Sequence, residues 1–261
     1  MRDQPIERLL DIMKTLRDAQ RGCAWDREQT LASLTRHTLE EAYEVVDCIE
    51  RGALDELPDE LGDLLFQVVF YAQIAAEEER FDFTEVSARI VDKLLRRHPH
   101  VFGDEPQLDA GAQARRWEAL KAAERRAAGA VEGELTGVPL ALPALTRAAK
   151  LQGRAARVGF DWETLPPVFA KVEEELLEVR AAVAEADQDA IAAEVGDLLF
   201  TCVNLARHLG VDAETALRRA SARFAQRFGK MERAAEARGS ALSNLAPDVL
   251  EDLWNQAKRG Q

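Results

Sequence analysis

The sequence predicts an all-α protein made of tandem duplicated helical-bundle modules that complete their cores by dimerisation. Three observations carry this. Apolar residues recur at intervals of three and four over long windows, the spacing of one helix face. No segment shows the sustained period-two alternation of a strand. One acidic pattern occurs twice at the same internal spacing, the mark of a repeated unit.

The first copy reads L-E-E-A-Y-E-V at 39–45 and E-L-G-D-L-L-F at 60–66. The second reads E-E-E-L-L-E-V at 173–179 and E-V-G-D-L-L-F at 194–200. Glu41, Glu44, Glu60 and Asp63 therefore match Glu175, Glu178, Glu194 and Asp197 residue for residue. Upstream, Trp25-Asp26 lies opposite Phe160-Asp161, and downstream Trp117 and Lys121 lie opposite Trp254 and Lys258. Between the copies, residues 122–143 are rich in Ala, Gly and Glu and end in the helix-breaking G-V-P-L-A-L-P. The modules are placed at 1–121 and 144–261, with 122–143 as a linker.

In the second module, Phe169, Val172, Leu176, Val179 and Val183 draw one helical stripe. Ile191, Val195, Leu198, Cys202, Leu205 and Leu209 draw the next. Gly210 is read as the stop of that second helix and Asp212 as the N-cap of a third. Short loops between such helices give an antiparallel bundle. With so few helices to enclose the stripes of each module, a homodimer is expected.

Composition limits the partners. The 261 residues carry 47 acidic and 34 basic side chains, a formal net charge of -13. Such a surface repels phosphate backbones and anionic lipid, so neither nucleic acid nor membrane is expected as a partner. The three scattered cysteines and the absence of an apolar leader point to a reducing, cytoplasmic setting.

Glu175 and Glu178 stand three apart and share a helix face, as do Glu194 and Asp197 on the next helix. An isolated E-x-x-E is most often solvated surface charge. Here the carboxylates border the apolar stripes, so packing the helices gathers all four, and clustered anions raise one another's pKa unless a cation neutralises them. All-oxygen ligation suits Mg²⁺, with Mn²⁺ as substitute. The glycine inside each E-x-G-D costs roughly 1 kcal/mol against Ala, which suggests a close approach there. Beside the apolar stripe of the second helix runs a polar one, Thr201, Asn204 and His208. Lys171, one turn before Glu175, and Arg223 and Arg227, four apart on the third helix, are candidate phosphate contacts, while Trp254 can stack on a base.

The doubled E-E-x-x-E and E-x-x-D pattern resembles the MazG family of nucleoside triphosphate pyrophosphohydrolases. So do G-C-A-W-D at 22–26, R-R-H-P-H-V-F at 96–102 and V-G-F-D-W at 158–162. One departure is Ala24, where the family commonly has proline. The resemblance implies hydrolysis of a nucleoside triphosphate (NTP) to monophosphate and pyrophosphate by a homodimer that uses Mg²⁺. It implies metal binding by Glu175, Glu178, Glu194 and Asp197, with Glu174 as a water-orienting base. Lys171, Arg223, Arg227, Trp254 and Lys258 would line the nucleotide site, and house-cleaning of the nucleotide pool is a role in keeping with this. The alternative is a non-catalytic, nucleotide-binding helical regulator or scaffold.

The two copies are not equivalent. Aligned on their acidic motifs, Lys171 faces His37, Asn204 faces Phe70, Thr201 faces Gln67 and His208 faces Ile74. The second module therefore carries the complete substrate-binding set, Asn204 included, and is read as the main catalytic unit. Glu41, Glu44, Glu60 and Asp63 form a weaker metal site.

Overall fold

The computed structural model describes residues 4–107, 109–127 and 133–259, and among these it contains helices and no strands. The chain divides into two compact units, Met1–Glu124 and Arg125–Gln261. No helix among the described residues is long and apolar enough to cross a membrane.

The N-terminal unit begins with α1 (Pro5–Leu16), which opens on a proline at its first turn, where the missing N–H costs nothing. A short α2 (Ala24–Glu28) leads to α3 (Thr35–Arg51) and α4 (Leu57–Glu77). Gly52 ends α3 in the left-handed conformation (φ +72°) that glycine adopts without steric cost. Helices α5 (Phe83–Arg97), α6 (Pro99–Phe102) and α7 (Ala110–Ala127) follow. The core joins α1, α4 and the turn before α3, and is built on Met13, Leu34, Val69, Phe70 and Ile74.

Helix α7 continues to Ala127, within the stretch read from sequence as linker. Residues 128–132 of that stretch lie outside the described residues. Beyond them the chain folds back onto the C-terminal unit, where Val138 is buried and the Thr136 carbonyl accepts from the Arg154 guanidinium.

The C-terminal unit consists of α8 (Ala144–Arg157), α9 (Leu165–Glu185), α10 (Gln188–His208), α11 (Ala213–Glu236) and α12 (Pro247–Arg259). Helices α9 and α10 form a tight hairpin through Ala186 and Asp187. The Asp187 side chain caps α10 by accepting from the N–H groups of Asp189 and Ala190. The expected signals after α10 are present: Gly210 takes φ +69°, and Asp212 accepts from the Thr215 N–H at 2.8 Å. Helix α8 packs on α10 and α11, and α11 pairs with α12 around Met231, Ala235, Leu253 and Ala257.

The stripes read from periodicity are only half enclosed. On α9 the buried residues are Val168, Glu175 and Ala182, whereas Phe169, Leu176, Leu177 and Val183 are exposed. On α10 the buried residues are Thr201, Val203 and Asn204, while Val195, Leu199 and Leu209 are exposed. The polar stripe of α10 thus faces the interior of the unit, and part of the apolar stripe remains on its surface. Gly62 and Gly196 face open space: a Cβ at either position would meet nothing within 4 Å, so no contact within either unit requires these glycines.

Candidate functional site

In the C-terminal unit the α9–α10 hairpin brings carboxylate oxygens of Glu175, Glu194 and Asp197 within 4.8 Å of one another. Glu175 is 5% exposed. A buried carboxylate is tolerated only with a partner, and here Lys171 provides one. Its ammonium bridges Glu174 at 2.7 Å and Glu175 at 2.9 Å, and the two carboxylates hold the lysine well above its usual pKa. Glu178 stands outside the close trio. Partial desolvation raises its carboxyl above the usual range, Lys171 pulls it back, and Glu175 and Glu194 push it further up.

Two of the trio, Glu175 and Asp197, border a cleft of about 600 Å³. Lys171, Glu175 and Asp197 form its charged edge, and Thr201 and Asn204 continue along α10 on the next two turns. Much of the remaining lining is apolar, with Leu151, Ala155, Phe160 and Trp162. The chemistry of the edge fits a hard divalent cation, since every gathered donor is a carboxylate oxygen and none is His or Cys.

One network at the far end of the cleft was not legible from the sequence. Asn204 Oδ1 accepts from Arg207 Nε at 3.0 Å and from Arg207 Nη2 at 2.6 Å. The same guanidinium donates to Asp161, in the loop between α8 and α9, and His208 Nε2 lies 3.0 Å from that carboxylate. Arg207 is the main cause of the Asp161 carboxyl lying below its usual range; burial opposes this and His208 reinforces it. The motif V-G-F-D-W contained Asp161, but nothing along the chain linked it to an arginine 46 residues away.

Arg223, Arg227, Trp254 and Lys258 do not line this cleft. They lie on α11 and α12, where the Arg227 guanidinium and the Lys258 ammonium stand 5.9 and 5.4 Å from the Trp254 ring centre. Trp254 itself packs against the Met231–Leu253 cluster and lies 5.4 Å from Phe224.

The N-terminal unit repeats the acidic trio. Oxygens of Glu41, Glu60 and Asp63 come within 4.8 Å of one another. Desolvation chiefly raises Glu41, with Asp63 and Glu44 adding to it, and desolvation with Glu44 and Asp63 raises Glu60. His37, at the place of Lys171, lies 3.5 Å from Glu40. Phe70, at the place of Asn204, is 0% exposed, with the Arg17 guanidinium 5.5 Å from its ring centre. Arg17 in turn pairs with Glu77 at 2.7 Å.

Comparison with known proteins finds one family in both units. The family model described as the MazG nucleotide pyrophosphohydrolase domain matches residues 29–102 and 164–231, one stretch in each unit. A nucleoside triphosphate pyrophosphohydrolase of Escherichia coli (strain K12) is 52% identical over 256 residues, covering 97% of each protein. A nucleoside triphosphate pyrophosphohydrolase/pyrophosphatase MazG of Thermotoga maritima is 44% identical, covering 98% of this chain and 96% of that one. An uncharacterized Bacillus subtilis protein, YabN, is 40% identical over 95% of this chain and half of its own length.

Proposed function

The chain belongs to the MazG family of nucleotide pyrophosphohydrolases, and from that membership we propose that it hydrolyses nucleoside triphosphates to monophosphate and pyrophosphate in its C-terminal unit. The observation that carries the placement is the cluster of Glu175, Glu194 and Asp197, two of which, Glu175 and Asp197, line a cleft large enough for a nucleoside. The two units are read as N- and C-terminal MazG-like modules. A binding scaffold would need the cationic and aromatic contacts but not a carboxylate buried beside two others.

Glu175, Glu194 and Asp197 would hold Mg²⁺, with Glu178 completing the set; Mn²⁺ shares the required donor chemistry. A bound divalent cation supplies neutralisation of the triphosphate and polarisation of its phosphoryl oxygens. Lys171, already at the carboxylates, is placed to exchange its pairing with Glu174 and Glu175 for a phosphate oxygen. That exchange leaves the exposed Glu174 carboxylate available to orient a water for attack. Asn204 offers its amide to the nucleoside end, and the apolar wall accepts a base by burial and stacking. On the family resemblance, Arg223 and Arg227 are assigned to the far phosphates, Trp254 to stacking on a base and Lys258 to the lining of the nucleotide site, although none of the four lines the cleft within this unit.

The N-terminal trio of Glu41, Glu60 and Asp63, with Glu44, is assigned a weaker metal site. Filling of the floor by Phe70 supports this ranking. Leu177 and Leu199, 61% and 54% exposed on the α9–α10 hairpin, support burial of that face by a second copy.

The test is product analysis. Purified protein is incubated with each NTP and dNTP, with Mg²⁺ or with EDTA, and the nucleotides are resolved. Monophosphate and pyrophosphate with Mg²⁺, and no turnover with EDTA, are expected. Diphosphate and orthophosphate would overturn the assignment, since those products require cleavage of the other phosphate bond.

A further inference from the structure

The cleft contains a fixed chain of polar contacts that the reaction chemistry at the carboxylates does not use. Asn204 is 6% exposed and its Oδ1 takes two donors from Arg207. A guanidinium has only donors, so the amide oxygen must face it, and the amide N–H₂ is directed away. No protein acceptor takes that Nδ2 among the described residues. Arg207 is itself held by Asp161, whose Oδ1 also accepts from the Trp162 N–H at 3.0 Å. One arginine therefore ties the floor of the cleft, through Asn204, to its aromatic rim, through Asp161.

Position along α10 identifies what Asn204 meets. It lies seven residues beyond Asp197, two helical turns or about 10 Å along the axis. Asp161, held by Arg207 one turn further along α10, stands in sequence between Phe160 and Trp162 of the cleft lining. Asn204 therefore lies toward that segment and away from the carboxylates that would hold phosphate. The N-terminal unit provides an internal contrast. Asp26 is kept there, but Phe70 and Gln73 replace Asn204 and Arg207, and the Phe70 ring is buried in a core. The matching positions of the N-terminal unit thus carry no such amide–guanidinium pair.

We propose that Arg207 is a positioning residue for substrate: it fixes the Asn204 amide so that Nδ2 donates to an acceptor on the nucleobase, and Asp161 in turn fixes Arg207. This rests on the reading of the cleft as the nucleotide site. Asn204 touches the substrate; Arg207 and Asp161 act through it.

The test is a double-mutant cycle on pyrophosphate release, using Asn204→Ala, Arg207→Ala and the double variant, with Arg207→Lys and Asp161→Asn as conservative partners. Asn204→Ala and Arg207→Ala are each expected to raise KM for NTP about tenfold, with a smaller change in kcat. The double variant is expected to match Asn204→Ala within about twofold, because Arg207 has nothing left to position. Arg207→Lys and Asp161→Asn, which each keep one hydrogen bond, are expected to recover part of the loss. Inhibition by inorganic triphosphate, which has no nucleobase, is expected to be unchanged in Arg207→Ala.

An equal penalty for Arg207→Ala with and without Asn204 would overturn the proposal, as would weakened inhibition by inorganic triphosphate. If Arg207→Ala does not fold by thermal melting, Arg207→Lys replaces it in the cycle with the same readings. A wild-type protein that releases no pyrophosphate from any NTP would instead refute the underlying function.

Discussion

Phe70 and Asn204 occupy matching positions in the two repeats, seven residues beyond Asp63 and Asp197, and both are buried to opposite ends. Phe70 closes a core with Met13 and Leu34, whereas Asn204 lines a cleft beside Phe160 and Trp162. The same position of the repeat therefore serves a core in one unit and a cleft in the other.

If Phe70 is a core element, truncating it leaves a cavity against Met13, Leu34 and Val69. Phe70→Ala is expected to destabilise the N-terminal unit by about 3–5 kcal/mol. Denaturant unfolding followed by spectroscopy checks this. A change below about 1 kcal/mol would mean that the site collapses without cost and is not a core.

The Glu124 carboxylate accepts from Arg96 at 2.9 Å and from Arg97, and the two arginines pull its pKa down to about 2 from an ordinary 4.5. A depressed folded-state pKa gives stability that is present above the unfolded value and lost as pH falls toward the folded one. The α5–α7 pairing is therefore expected to weaken between about pH 4.5 and pH 2. Trp117 donates to the Arg97 carbonyl at 3.2 Å, so tryptophan fluorescence reports on it. Glu124→Gln is expected to remove this part of the acid dependence, and an unchanged titration would contradict the assignment.

Lys171→Gln tests the phosphate contact. Loss of a charge-assisted hydrogen bond costs about 1.5–3 kcal/mol, or roughly ten- to a hundredfold in kcat/KM. His37→Gln, at the matching position of the N-terminal unit, is expected to change the rate little. Steady-state pyrophosphate release measures both, and equal losses would place the two units on the same footing.

The exposed apolar face of the α9–α10 hairpin predicts a dimer at micromolar concentration. Leu199→Asp, which sets a charge on an exposed apolar position of that hairpin, is expected to give a monomer by light scattering. A wild-type monomer, or an unaffected dimer in the variant, would show that this face is not the interface.

Much of the site was legible because helical spacing is rigid. Residues three and four apart share a face, so Glu175 could be paired with Glu178 and Glu194 with Asp197, and Lys171 fell one turn from Glu175. Packing was expected to gather all four carboxylates, and it brings Glu175, Glu194 and Asp197 together with Glu178 outside the close trio. Burial was less legible. Thr201 and Asn204 are polar yet interior, while Leu199 and Val195 are apolar yet exposed, and helical spacing alone does not say which of two neighbouring stripes is enclosed. The Asp161–Arg207 contact was not legible because it joins a loop to the last turn of a helix, and no periodicity relates the two. The assignment of Trp254 to a base also met competition, from its packing between α11 and α12.

The most direct measurement is pyrophosphate release by two matched variants, Glu175→Gln and Glu41→Gln, each checked for intact folding by circular dichroism and assayed with saturating Mg²⁺ and NTP. Both remove one carboxylate from an acidic trio, but only Glu175 borders the cleft. Glu175→Gln is predicted to lose nearly all activity and Glu41→Gln to retain most of it. Equal losses, or the reverse order, would contradict catalysis in the C-terminal unit.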